Sequence, residues 1–325
     1  MLINCPKDFS CAAYEIVLAA GPQGLVLPPY KGSTLRGSFG QVFKQLVCVK
    51  RKEACGNCLI KENCPYHFVF ETSPPPKTEA LRNYSDIPRP FVLEPPLEQK
   101  TDYLPGETFC FHLFLFGRVK NLLPYFIVTL EELGLRGMGK GRRPFSVKEI
   151  ATVTLKGPRE REIIYYGQDK TVRAKENIIA AQEIWRAAAK QPFRDQAMIK
   201  FLTPTRLIYQ EKLVHEPQLH ILIRHLLRKV SSLYYFYHGQ QWQEDFVGII
   251  KRAEEVVLIE NNTAWSDWER YSSRHQIKMK LGGLIGEAVY KGPVNDFWPL
   301  LKLGELVHVG KGGVFGLGKY QISGL

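Results

Sequence analysis

Four of the chain's seven cysteines stand close together, Cys48, Cys55, Cys58 and Cys64, with six, two and five residues between successive members. A Cys-x-x-Cys core makes the tight turn that lets two thiolates bind one ion, and four thiolates can close a tetrahedral zinc site. Such an ion would staple a lysine-rich loop too short to build its own core. An iron–sulfur cluster could use the same four ligands, and free thiols are the plain alternative. An odd cysteine count with this clustering reads as a metal site rather than a disulfide framework, and points to a reducing, cytoplasmic compartment. No ligand set with an open position for water accompanies the cluster, so the metal is expected to be structural, with none required for catalysis. Cys5, Cys11 and Cys110 lack such neighbours and read as ordinary buried residues.

A second group of chemistry-bearing residues lies at the C-terminal end, from His308 through Gly310, Lys311, Gly312, Gly313, Gly316, Gly318 and Lys319. Glycines at this density permit positive φ and close backbone approach, and clustered amides can cradle phosphate. A tight structural turn fits the composition equally well. The stretch from Trp268 to Lys280 interleaves Arg270, Tyr271, Arg274, His275, Lys278 and Lys280. Cations neutralise phosphates while aromatic or guanidinium planes stack on unpaired bases, a composition suited to RNA; an edge strand with solvated charges is the bland reading.

These groups must be positioned by regular elements. An alternating strand from about residue 12 to 20 leads through a Gly/Pro-rich loop into a helix from about Ser33, striped by Leu35, Phe39, Val42 and Leu46. Short runs (HFVFET, PFVLEP, TFCFHLFLFG) read as strands, Leu122, Phe126, Leu130 and Leu133 mark a second helix, and a strand follows near Phe145 to Leu155. Strand, helix, strands, helix, strand is the split βαβ order of a ferredoxin-like domain. The second half repeats it loosely. Strands lie around residues 161 to 166 and 198 to 209, a helix follows from Pro217, helical segments near 178 to 190 and 246 to 255 interrupt, and strand-like stretches run to the end. The fold class expected is α+β, tandem ferredoxin-like (RRM-like) domains with a cysteine-rich metal-binding insertion in the first. Residues 1–156 would form the first domain, with the insertion at 48–64, and 157–325 the second, with the glycine-rich loop at 310–318.

The chain has 325 residues and a formal net charge of +12, which favours a polyanionic partner. An anionic membrane fits less well than nucleic acid, because no apolar run approaches the roughly 20 residues of a spanning helix and no basic leader is evident. A zinc-stabilised DNA-binding protein is disfavoured by the lack of helix-turn-helix or finger spacing.

With Leu35-Arg36-Gly37-Ser38-Phe39-Gly40 on the first helix, the cysteine cluster, Phe201-Leu202-Thr203-Pro204, the Arg270 to Gln276 segment and Gly310 to Gly318, the chain resembles the RAMP superfamily of CRISPR systems. Within it, the likeness is to the endoribonuclease that cuts precursor CRISPR RNA at its repeats, in the form with a C-terminal glycine-rich motif. The resemblance implies metal-independent cleavage, in which the RNA's 2′-hydroxyl attacks the adjacent phosphate and leaves a 2′,3′-cyclic phosphate and a 5′-hydroxyl. It implies CRISPR repeat RNA as partner, a CRISPR effector complex as a further candidate, and neither a membrane nor a small-molecule substrate. A non-catalytic RNA-binding subunit of such a complex is the alternative. Family members often carry a catalytic histidine in the loop and first helix; here residues 21–47 contain none. Tyr30, Lys31 and Arg36 remain as candidates there, with His308 the leading histidine. The RNA contacts expected are Arg270, Arg274, His275, Lys278, Lys280, Gly310, Lys311, Gly312, Gly316, Gly318 and Lys319. His67, His112, His215, His220, His225 and His238 are read as structural.

Overall fold

A computed structural model describes residues 3–71, 74, 78, 87–155, 161–173, 177–272 and 277–325. Contacts divide the chain into two compact units. One comprises Ser10–Ile179 with Phe236–Gly239, the other Met1–Phe9, Ala180–Tyr235 and Gln240–Leu325. The division falls beyond residue 156 because the strand Glu162–Tyr166 pairs with Phe145–Thr152 and extends the first sheet.

In the first unit, β1 (Ser10–Ala20), α1 (Gly32–Val47), β2 (Phe91–Glu94), β3 (Thr108–Phe116), α2 (Leu123–Arg136) and β4 (Phe145–Thr152) follow in sequence, and β5 (Glu162–Tyr166) and β6 (Thr171–Val172) extend the edge. The antiparallel order is β2-β3-β1-β4-β5-β6. Its first four strands have the ferredoxin-like arrangement, with the first strand central and both helices on one face. Register sets the two faces. Phe91, Leu93, Phe111, Leu113, Ile16 and Leu18 share the helix-covered side, where Phe39, Phe43, Phe70, Phe91 and Phe126 form a cluster of rings with centroids 5.1 to 6.3 Å apart. The α1 stripe runs through Leu35, Phe39, Val42 and Phe43, whereas Leu46 is 43% exposed. HFVFET, expected as a strand, belongs mostly to the short helix Pro65–Phe70, begun by a proline whose missing N–H costs nothing at a first turn.

The second unit repeats the order with β7 (Gln196–Thr205), α3 (Leu219–Leu233), β8 (Val257–Ser266), β9 (Gly283–Lys291), α4 (Trp298–Val307) and β10 (Tyr320–Gly324), in a sheet β8-β9-β7-β10. α3 buries the expected Leu219, Leu222, Leu226, Val230 and Leu233. α4 was not expected from the sequence: it is apolar nearly all round, burying seven of its ten residues, so it carries no polar periodicity to announce it. The glycine-rich segment therefore joins a helix to a strand rather than two strands. No helix among the described residues is long and apolar enough to cross a membrane.

Candidate functional site

The glycine-rich turn is built by its backbone. Gly310, Gly312, Gly316 and Gly318 have φ of 75°, 84°, 80° and 73°, where an L side chain is strained. Space is equally restrictive: a Cβ on Gly318 would stand 1.8 Å from the Val309 carbonyl oxygen, and one on Gly310 2.4 Å from that of Arg206. The turn is tied to β7 by Thr203, whose hydroxyl donates to the Gly316 carbonyl at 2.9 Å and accepts from the Lys319 amide at 2.9 Å. The amides of Gly318 and Lys311 donate to the carbonyls of Pro204 and Arg206. Gly316 and Gly318 are buried, Gly310, Gly312 and Lys319 half-buried, and Lys311 exposed. The glycines thus serve first the turn's own conformation.

His308, expected as an acid or base, is enclosed in the free chain. It caps the C-terminus of α4 at φ 60° and ψ 165°, is 0% exposed, and its Nδ1 lies 3.0 Å from the Leu317 carbonyl oxygen. A fully enclosed imidazole bonded to the turn can serve as a clamp. Lys31 is likewise 0% exposed, and its Nζ donates to the carbonyls of Pro29 at 3.3 Å and Glu98 at 3.0 Å, pinning the entry to α1. Burial lowers its pKa, with Glu98 opposing. Arg36 lies half-buried over the Phe70 ring, 5.1 Å from its centroid.

Tyr30, by contrast, sits within the field of a group of residues whose sequence separation hid them. Glu94 and His112 are directly opposed on β2 and β3, and therefore share a face, the one turned away from the helices. His112 Nδ1 is 3.4 Å from Glu94 Oε1; 33% of the imidazole side chain is exposed against 6% of the carboxylate. Burial first, then the Glu94 carboxylate, push the Tyr30 phenol far above its usual range and hold its proton in place. Glu15 neighbours His112 in register on the same face, and Arg161 binds both Glu15, at 2.8 Å, and Glu149. A carboxylate that orients an imidazole, with a protonated phenol nearby, supplies the parts of acid–base chemistry. His112 alternates with buried aromatics along its strand, so nothing local distinguishes it from a structural histidine; only the pairing of β2 with β3 reveals its partner.

Arg270, Lys278 and Lys280 lie on a two-stranded hairpin, Glu269–Ser272 paired with Ile277–Lys280, while Arg274 and His275 fall outside the described residues. His225 and His238 place Nε2 3.0 Å from the backbone carbonyls of Ile208 and Ser10, respectively. The cysteines occupy element ends: Cys48 at the C-cap of α1, Cys55 and Cys58 bounding one 3₁₀ turn, and Cys64 at the N-cap of the helix Pro65–Phe70. Burial, with Glu71, Cys48 and Cys64 adding, raises the Cys55 pKa against the pull of Lys44. Among the described residues no three His, Cys, Asp or Glu side chains stand in a metal-holding arrangement.

Two ferredoxin-like units in tandem, the second with a glycine-rich turn between its last helix and last strand, make the RAMP-like fold. A family model of the N-terminal domain AF_1859_N matches residues 9–177, and that of the CRISPR-associated endoribonuclease Cas6 matches residues 199–320. The chain thus belongs to the family of the AF_1859_N N-terminal domain, which spans just over half of it, and carries a Cas6 domain in its C-terminal part. An uncharacterized protein of Archaeoglobus fulgidus is 24% identical over 302 residues, 91% of this chain and 92% of its own. Among solved structures, a product complex of Thermus thermophilus Cas6 superimposes with a TM-score of 0.57 at 16% identity, over 96% of this chain and 99% of that one. A chain of a partial Cas6-RT-Cas1–Cas2 complex gives a TM-score of 0.58 at 10% identity, over 99% of this chain and 47% of that one.

Proposed function

We propose that the chain cleaves CRISPR repeat RNA by attack of the RNA's own 2′-hydroxyl. A base takes the 2′-hydroxyl proton as the 2′-oxygen bonds to phosphorus; the bond from phosphorus to the 5′-oxygen breaks, and an acid protonates the leaving oxygen. The products are a 2′,3′-cyclic phosphate and a 5′-hydroxyl, and no water or metal is consumed. The observation that carries the reading is the His112 imidazole held by the buried Glu94 carboxylate, with Tyr30 kept protonated beside the same carboxylate. His112 acts as base or acid, and Tyr30 donates to the phosphate or the leaving oxygen.

The cations of the hairpin, Arg270, Lys278 and Lys280 with Arg274 and His275, bind the RNA backbone together with Lys311 and Lys319. The four clustered cysteines, which do not stand in a metal-holding arrangement in the free chain, would have to close on an ion to hold a structural zinc, and that zinc would take no part in cleavage.

Repeat RNA incubated with the protein in EDTA tests the chemistry. Cleavage abolished by one 2′-deoxy nucleotide supports it, and His112→Ala should slow single-turnover cleavage at least 100-fold, the usual scale of acid–base catalysis. Unchanged cleavage by that variant removes His112 from the mechanism. The lack of a histidine in residues 21–47 favours a second reading, a non-catalytic subunit that holds processed RNA; tight binding with the RNA left intact would establish it.

A further inference from the structure

α3 carries Arg224, His225, Arg228 and Lys229 at spacings that gather them on one side of the helix. Arg224 and Arg228 are exposed. Lys229 instead ends against the glycine-rich turn: a Cβ on Gly313 would lie 2.6 Å from its Nζ, with Val307 O and His308 Cβ each 3.8 Å from the same point. Unlike its neighbours in the turn, Gly313 has no positive φ. Burial lowers the Lys229 ammonium to about 8, and no carboxylate counters that effect. His225 offers no compensation: burial lowers its pKa, Arg228, Arg224 and Lys229 lower it further, and its Nε2 is engaged by Ile208. A cation partly withdrawn from water gains from an anionic partner. Lys229 is half-buried, and among the described residues its ammonium has no hydrogen-bonding or ion-pairing partner, which leaves it open to an anion from outside the chain.

We propose that Lys229 anchors one phosphate of the RNA backbone between α3 and the glycine-rich turn, with Arg224 and Arg228 holding adjoining phosphates. The inference rests on the RNA reading of the chain and names the cation on which the second unit's grip is centred. A backbone anchor is indifferent to sequence, so it should act alike on repeat RNA and on an unrelated single strand.

The test compares wild-type protein with Lys229→Met, a near-isosteric neutral replacement, in binding both RNAs across a salt series. Affinity should fall about tenfold for each RNA, and the log–log salt slope should shrink by about 0.7, the value of one released counterion on a single strand. The thermal midpoint of the variant should be no lower than wild type, since a partly desolvated charge without a partner has been removed. Gly313→Ala provides a second perturbation: the new methyl displaces the flexible end of Lys229 without forcing the backbone, and should weaken both RNAs while the fold persists. Wild-type affinity should fall as pH rises above about 8 and the ammonium loses its proton, and Lys229→Arg should flatten that profile. Other charged or titratable groups on the neighbouring elements are Arg224, His225 and Arg228 of α3, Arg206, Lys311 and His308. Undiminished affinity and an unaltered salt slope in a folded Lys229→Met protein would overturn the proposal. Wild-type protein that binds neither RNA would overturn the RNA reading itself, and the anchor with it.

Discussion

His308 separates a structural from a chemical role with two substitutions. Its imidazole is fully enclosed, its Nδ1 meets the Leu317 carbonyl at 3.0 Å, and its backbone occupies φ 60°, ψ 165°, a region essentially reserved for glycine. His308→Ala leaves a cavity and a buried carbonyl without its partner, the latter alone costing about 1 to 3 kcal/mol. The strained backbone stays. His308→Gly loses the same side chain but relieves a conformation worth roughly 1 to 3 kcal/mol, against about 0.5 to 1 kcal/mol of added chain entropy. Glycine should therefore be the more stable of the two by about 1 kcal/mol, reversing the order expected at an ordinary helix position. Urea unfolding followed by circular dichroism measures the order, and single-turnover cleavage of repeat RNA, well below both midpoints, measures the chemistry. Both variants should cleave at near wild-type rate when folded. Alanine more stable than glycine would refute the backbone argument; a hundredfold loss of cleavage in a variant of wild-type stability would refute the structural assignment.

The glycines divide by environment. Gly318→Ala places its methyl 1.8 Å from the Val309 carbonyl oxygen at φ 73°, and should cost roughly 3 kcal/mol or more in unfolding free energy; a smaller loss would mean that the turn relaxes freely. Gly37→Ala, exposed in α1 with nothing within 4 Å of the new methyl, should gain about 0.5 to 1 kcal/mol by the same measurement. Metal analysis of the purified protein should find a stoichiometric zinc that Cys55→Ser with Cys58→Ser removes, with a lower thermal midpoint and with RNA cleavage retained. Substoichiometric metal would leave the thiols free, and a visible absorption band would point to an iron–sulfur cluster.

Both ferredoxin-like repeats were legible because their strands alternate and α3 keeps a clean 3.6-residue stripe. α4 was hidden by being apolar on every side, and the short helix Pro65–Phe70 by a run of aromatic residues that fits a strand as well as a helix. The site was less legible than the fold. The glycine pattern announces a special backbone without saying what that backbone serves, and the Phe201-Leu202-Thr203-Pro204 run carries a resemblance without saying that Thr203 ties the turn to its neighbour strand. Proximity to the glycine motif favoured His308, yet the same proximity places it inside the clamp. Glu94 and His112 are separated by 18 positions and meet only because β2 and β3 pair in that register. Long-range pairing is the information a single sequence lacks.

The contrast between Gly313 and its neighbours bears on what the second unit is built to do. Gly310, Gly312, Gly316 and Gly318 answer to positive φ, and a turn of this shape would need them whatever its function. Gly313 answers to Lys229: with an ordinary backbone, it is the turn residue whose missing side chain leaves room for an ammonium. A half-buried lysine without a counter-charge destabilises the free fold, and that cost falls away when an anion arrives or the ammonium deprotonates. The free protein should accordingly become more stable as pH rises from about 8 toward the ordinary lysine range, over the same interval in which its hold on RNA weakens. Opposite pH trends in stability and affinity are what a binding cation predicts; a lysine that merely packed its methylene chain against the turn would move the first without the second.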